Sequence, residues 1–178
     1  MTTETADQYK ARLAAYVQDK DPIAMQREAP DILAHLIDGK PSELLSHRPA
    51  PGKWSVAAIL AHMAEDELVS SWRYRQMIEN SGAALPGFDQ DEWARLGDYE
   101  SWTPREAWEM FRQLREANLR MFDKLSREEW QCCGLHAERG RITVADLARH
   151  MAAHDRNHID QVRRLLARPN SGSQWYVG

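Results

Sequence analysis

Apolar residues recur at three- and four-residue spacing along most of the chain, a period that predicts helices rather than strands. Within residues 4–18, Tyr9, Leu13, Tyr16 and Val17 form a loose helical stripe. Asp21-Pro22 breaks it, and Pro30 opens or bends a second helix carrying Ile32, Leu33, Leu36 and Ile37. Gly39-Lys40-Pro41 ends that element, and Ser42 starts a short turn through Leu44 and Leu45. The run Arg48-Pro49-Ala50-Pro51-Gly52-Lys53 must be loop. Ser55 then caps the longest expected helix, about residues 55–80, with Trp54 placed to staple onto its first turn.

That helix stops near Asn80-Ser81-Gly82. About twenty residues follow, with Pro86-Gly87-Phe88 and a short helix around Asp91 to Leu96. Thr103-Pro104 opens a third long helix, because threonine caps and proline fits the first helical position. Its apolar set is Ala107, Trp108, Phe111, Leu114, Leu119, Phe122 and Leu125. Ser126 with Glu128-Glu129 predicts a short helix ending before Gly134, and Gly140 closes the following loop. Thr143, with Asp146 three residues on, approximates a capping box for a last helix running to about Ala167 before Pro169. No stretch alternates long enough to place a strand. Four amphipathic helices predict an all-α four-helix bundle, and the twenty-residue segment fits it as a long crossover connection. The chain then reads as one domain over 1–178: a helical extension at 1–29, the bundle at 30–168 and a C-terminal tail at 169–178.

Composition narrows the classes of function. A chain of 178 residues with 43% hydrophobic positions suits one folded domain. Lys plus Arg number 23 against 27 Asp plus Glu, so the net charge of -4 supplies no bulk positive field for a nucleic-acid backbone. No apolar run approaches the roughly 20 residues of a bilayer span. The polar start, Met1-Thr2-Thr3-Glu4-Thr5, lacks the pattern of a signal peptide. Adjacent Cys132 and Cys133 suit neither a disulfide framework nor a CxxC motif. These features predict a cytoplasmic protein with neither a membrane nor a nucleic-acid partner.

Seven His and seven Trp stand out. On the last helix His150, His154 and His158 recur every four residues, which stacks them on one face. Two imidazoles at i and i+4 can reach one divalent metal. The first and third lie about 12 Å apart along the axis, so one of the three is a bystander. His62 sits on an apolar face in Leu60-Ala61-His62-Met63-Ala64-Glu65-Asp66. It is either a satisfied core histidine or, if the bundle brings it opposite the last helix, a third ligand. Glu65 and Asp66 are either surface carboxylates or groups that orient a ligand and move protons, and Glu65 is the one catalytic candidate. Arg73 and Arg75 suit a solvated helix end or an anionic substrate. Trp54, Trp72, Trp93, Trp102, Trp108 and Trp130 read as packing residues, with Trp93 the best placed to line a pocket. HExxH, the deaminase signature, the P-loop, GxGxxG and GxSxG are all absent.

Two blocks together resemble the DinB-like (YfiT-type) superfamily. Arg48-Pro-Ala-Pro-Gly-Lys-Trp-Ser-Val-Ala-Ala-Ile-Leu-Ala-His62-Met-Ala-Glu-Asp-Glu is similar to its first signature. Gly140-Arg-Ile-Thr-Val-Ala-Asp-Leu, leading into His154-Asp-Arg-Asn-His158-Ile-Asp-Gln161, is similar to its second. Phe88-Asp-Gln-Asp-Glu-Trp93 and Phe111-Arg-Gln-Leu-Arg-Glu-Ala-Asn118 resemble the family's linker and third helix, so the likeness covers nearly the whole chain. The resemblance implies a four-helix bundle holding a divalent metal, zinc or nickel, on a histidine triad: His62, His154 and His158. His150 falls outside that motif. The resemblance also implies an enzyme, a transferase or isomerase that uses a low-molecular-weight thiol or else a metal-dependent hydrolase, acting on a small-molecule substrate. A non-catalytic metal- or ligand-binding bundle is the alternative, and a homodimer is a further implication.

Overall fold

Each long helix begins where a side chain can accept the first free backbone N–H groups. Asp21 accepts from the N–H groups of Ile23 and Ala24, and Ser55 accepts from Ala58. Thr103 and Thr143 form complete capping boxes with Glu106 and Asp146. In the computed structural model, which describes residues 5–167, these caps start α2 (Pro22–Ile37), α4 (Val56–Glu79), α6 (Pro104–Phe122) and α8 (Val144–Leu166). Shorter helices fill the connections: α1 (Ala6–Tyr16), α3 (Ser42–Ser46), α5 (Gln90–Leu96) and α7 (Arg127–Gln131). The expected tail at 169–178 lies outside the described residues.

The pairings between helices give the topology. Pro30 meets Trp108 and Gln26 meets Arg115, so α2 and α6 run antiparallel. Glu67 meets Arg115 and Ser71 meets Asn118, so α4 and α6 run parallel. His62 meets His154 and Ser70 meets Met151, so α8 runs antiparallel to α4. A parallel α4/α6 pair requires a connection that travels the length of the bundle, and residues 80–103 with α5 supply it. This is the all-α four-helix bundle with a long crossover that the periodicity predicts.

Two features differ from the sequence expectation. The second helix starts at Pro22, so a boundary between residues 29 and 30 falls inside α2, with Pro30 in its interior. A proline there has no N–H for the carbonyl four residues back. Arg115 makes good the loss: its Nη1 donates to the Gln26 carbonyl at 3.0 Å. Trp108 Nε1 donates to the carbonyl of Pro30 itself at 2.9 Å.

The second difference is a small sheet of β1 (Ala83–Leu85), β2 (Cys133–His136) and β3 (Gly140–Thr143). β1 pairs parallel with β2, and β2 pairs antiparallel with β3. Strands of three or four residues are too short to show alternation. Gly134 lets the sheet pack down on α4, since a Cβ there would lie 2.4 Å from Leu85 Cδ1 and 2.9 Å from Met77 Cγ.

The helices close on a buried polar knot within an apolar core. Arg115, fully buried, donates from Nε and Nη2 to the two carboxylate oxygens of Glu67 at 2.9 and 2.8 Å. It donates from Nη1 and Nη2 to Asp155 at 2.5 and 3.0 Å. Asn118 adds a bond to Glu67 at 2.8 Å. The apolar set expected of α6 includes Leu114, which is only half-buried, and omits Arg115, which is fully buried. Removing the guanidinium strands two buried carboxylates and the Gln26 carbonyl. Arg115→Ala is expected to lose about 3–5 kcal/mol of stability in urea denaturation. A loss under about 1 kcal/mol would mean the knot is solvated, as surface ion pairs are.

Candidate metal centre

The face of α4 that bears His62 and Asp66 packs against the face of α8 that bears His154 and His158. His62 Nε2 lies 3.1 Å from His154 Nε2, and His158 Nε2 lies 3.0 Å from the same atom. One ring nitrogen from each lies within 4.8 Å of the others, and the three residues are 1%, 5% and 8% exposed. Among the described residues no other histidine, cysteine or carboxylate joins the cluster.

The outer nitrogens of the α8 pair differ in what they meet. Gln161 Oε1 accepts from His158 Nδ1 at 3.0 Å, which leaves the His158 Nε2 with a lone pair. His154 Nδ1 is buried without a hydrogen bond and faces Asp66 Oδ2 at 3.5 Å. The Nε2 atoms of His62 and His158 both converge on the single Nε2 of His154, an arrangement that a shared cation satisfies.

A proton is a poor cation here. Burial, with the charge of His158 second, pulls the His62 pKa down to about 3. Burial pulls His158 down to about 4, against the opposing bond to Gln161. Burial, and then its histidine neighbours, holds His154 well below the ordinary histidine value. Neutral, buried imidazoles with converging nitrogens are the donor set that zinc or nickel takes. On that chemistry the residues present fit a divalent metal.

The surroundings divide into two sides. On one, Trp54 packs its ring 4.9 Å from that of His62 and 6.1 Å from that of Tyr99. The Tyr99 hydroxyl donates to Glu65 Oε2 at 2.6 Å, tying the end of the crossover to α4. A side chain at Gly97 would come within 2.9 Å of Glu65 Oε1, so glycine allows that approach. On the other side Asp66 is buried, its carboxyl pushed up to about 7 by burial against the pull of Arg73.

The structure therefore brings His62, His154 and His158 together and leaves His150 one turn away, against Arg139. Glu65 is committed to Tyr99 beside the cluster. Trp93 packs on Phe88 at 4.7 Å within the crossover. Trp54 is the tryptophan that touches the cluster, reaching two turns into α4 rather than stapling only its first. Nothing in the spacing distinguishes it from the other aromatic residues.

Comparison with known proteins identifies the family and the fold. Residues 25–162 match the sequence model of the DinB superfamily. Two Oceanobacillus iheyensis proteins named as candidate metal-dependent hydrolases are 25% and 22% identical over 142 residues. Those alignments cover 79% of this chain and 80% and 81% of the relatives. A Geobacillus thermodenitrificans protein with the same designation is 30% identical over 82 residues, 46% of each chain. Among solved structures, YfiT from Bacillus subtilis is described as a candidate metal-dependent hydrolase with an unusual four-helix bundle topology. It superposes with a TM-score of 0.74 at 17% identity, over 93% of this chain and 89% of its own.

The buried imidazoles have a signature in stability. An unfolded histidine takes a proton near pH 6.5, whereas His62, His150, His154 and His158 in the fold resist protonation to well below that. Below about pH 6.5 the unfolded chain thus binds more protons at these four sites, and stability falls with pH. Asp66 and Asp155, raised by burial to about 7 and about 6, act in the opposite sense, but they are two against these four and His136, which burial also lowers. Metal-stripped protein is expected to lose urea resistance steadily from about pH 6.5 to about pH 4. A midpoint that stays flat or rises over that range would show that the imidazoles are not held neutral.

Proposed function

Because the chain belongs to the DinB superfamily, we propose that His62, His154 and His158 hold one divalent metal ion, zinc or nickel. On this reading the protein is a metal-dependent enzyme for a small-molecule substrate, hydrolase-like with water or transferase-like with a low-molecular-weight thiol as nucleophile. The observation that carries the reading is the convergence of three histidine nitrogens within 4.8 Å of one another in a buried site. The names of the relatives support the hydrolytic form. Bound there, the ion would act as a Lewis acid and bring the pKa of a water or thiol toward neutrality.

The chain's own residues prepare the site. Gln161 holds the outer nitrogen of His158, fixing its tautomer and ring orientation, and Asp66 faces that of His154 at 3.5 Å. Trp54 covers His62 and keeps bulk water from one side. Glu65, with Tyr99 donating to it, is a carboxylate beside the cluster whose second oxygen can accept a proton. Three protein donors leave room for a reacting group, as catalytic rather than closed structural sites do.

Untagged protein incubated with zinc or nickel and then desalted is expected to retain about one ion per chain by elemental analysis. His154→Ala is expected to lose it. Wild-type protein that stays metal-free overturns the centre. In a screen of ester hydrolysis and thiol transfer, His62→Ala is expected to reduce any turnover by at least about 100-fold. Equal turnover in the two proteins would remove the cluster from the chemistry. Metal uptake with no turnover on any substrate would leave the ion a stabilising role.

A further inference from the structure

Three turns along α4 from His62, Arg73 is 5% exposed, yet no carboxylate lies within 4 Å of it among the described residues. Its Nη2 donates to the carbonyl of Pro86 at 2.7 Å, and its guanidinium carbon lies 5.8 Å from the centre of the Phe88 ring. Its Nε has no hydrogen-bond partner at all. Arg115, by contrast, is as deeply buried and is met by two carboxylates. Burying a guanidinium costs free energy that a bonded anion normally offsets.

A second arginine comes to the same place. Arg139, in the turn between β2 and β3, is exposed, but one of its terminal nitrogens reaches α8 and lies against both ring nitrogens of His150, 2.8 Å from Nδ1. A neutral imidazole offers only one lone pair, so this contact cannot be fully made. Arg139 likewise has no carboxylate within 4 Å among the described residues. The charges of Asp66 and Glu138 act on both arginines from beyond bonding distance, that of Arg73 acts on Arg139, and both arginines act on His136 and His150. His136 Nδ1 accepts from the Glu138 N–H at 3.2 Å, so its proton sits on Nε2 as a further donor.

We infer that Arg73, Arg139 and His136 form a recognition site for an oxyanion, the carboxylate or phosphate group of a small-molecule ligand. Two cations are gathered with donors unspent and no bonded counter-ion, and an oxyanion completes both arginines. The site lies beside the histidine cluster, since His150 is one turn before His154 with ring centroids 6.2 Å apart. Asp66 stands between the two, against the outer nitrogen of His154. The substrate class follows: an anionic small molecule whose charged group sits a few bonds from the bond that reacts. That link to the reaction rests on the metal-dependent reading above, whereas binding of the anion does not.

The test is calorimetric titration of full-length, metal-stripped protein at low salt with succinate, inorganic phosphate and, as a neutral control, succinamide. Saturable binding of succinate or phosphate but not succinamide is expected, and the tighter anion identifies the group the site takes. Arg139→Gln, an exposed change, is expected to weaken that binding at least about tenfold. Arg73→Gln should do the same where its circular dichroism matches wild type. No saturable binding of either anion, or equal affinity in Arg139→Gln, overturns the inference. Anion binding by protein that fails to take up zinc or nickel would leave this site standing and sink the metal centre. Metal uptake without anion binding would do the reverse.

Discussion

One guanidinium sets the register of the bundle. Arg115 belongs to α6, grips Glu67 of α4 and Asp155 of α8, and satisfies the Gln26 carbonyl that Pro30 leaves free in α2. All four long helices meet at that side chain. Buried ion pairs contribute little net stability, because desolvation offsets most of their attraction. What they do impose is alignment, since a shifted helix would strand a charge in the core. Glu67 follows His62 by five residues and Asp155 adjoins His154, so the alignment that satisfies Arg115 also brings the imidazoles together.

Much of this was legible in the sequence where the signal is local. Ser55, Thr103 and Thr143 mark helix starts because capping is a contact between residues two or three apart, whereas Asp21 reads in the sequence as a break and in the structure caps α2. The four-residue spacing of the histidines on α8 has the same local origin. The strands were not legible: Cys133–His136 pairs with Ala83–Leu85 some fifty residues earlier, and neither segment alternates for long enough to be seen. Pro30 is a case where tertiary contacts override propensity, since a helix passes through it only because Arg115, far along the chain, takes its orphaned carbonyl. Arg115 itself sits in a charged stretch of α6, and no pattern marks one arginine there as buried. The meeting of His62 with α8 was implied by family resemblance and not by periodicity, which has no means of orienting one helix against another.

The two flanks of the histidine cluster differ in character. Trp54 and Tyr99 make one flank aromatic, and the Tyr99 bond to Glu65 binds the crossover to it. Asp66, Arg73, Arg139 and two neutral histidines make the other flank ionic. A molecule lying across the centre would meet an apolar wall at one end and fixed charge at the other. Such asymmetry orients a ligand in one direction.

The long sequence separation of the contacts between helices has a kinetic consequence. His62 and His154 are 92 residues apart, the Gln26 side chain bonds to Ala148 122 residues away, and Arg115 reaches Gln26 across 89. Contacts this distant close large loops before they return any favourable energy, which slows assembly. The imidazoles meet only when α8, the final described helix, docks on α4. An ion held there would act mainly on the rate of unfolding, as interactions absent from the folding nucleus do. During synthesis, His62 emerges long before its partners and must wait in an unfinished protein. The centre is the last thing the chain can build.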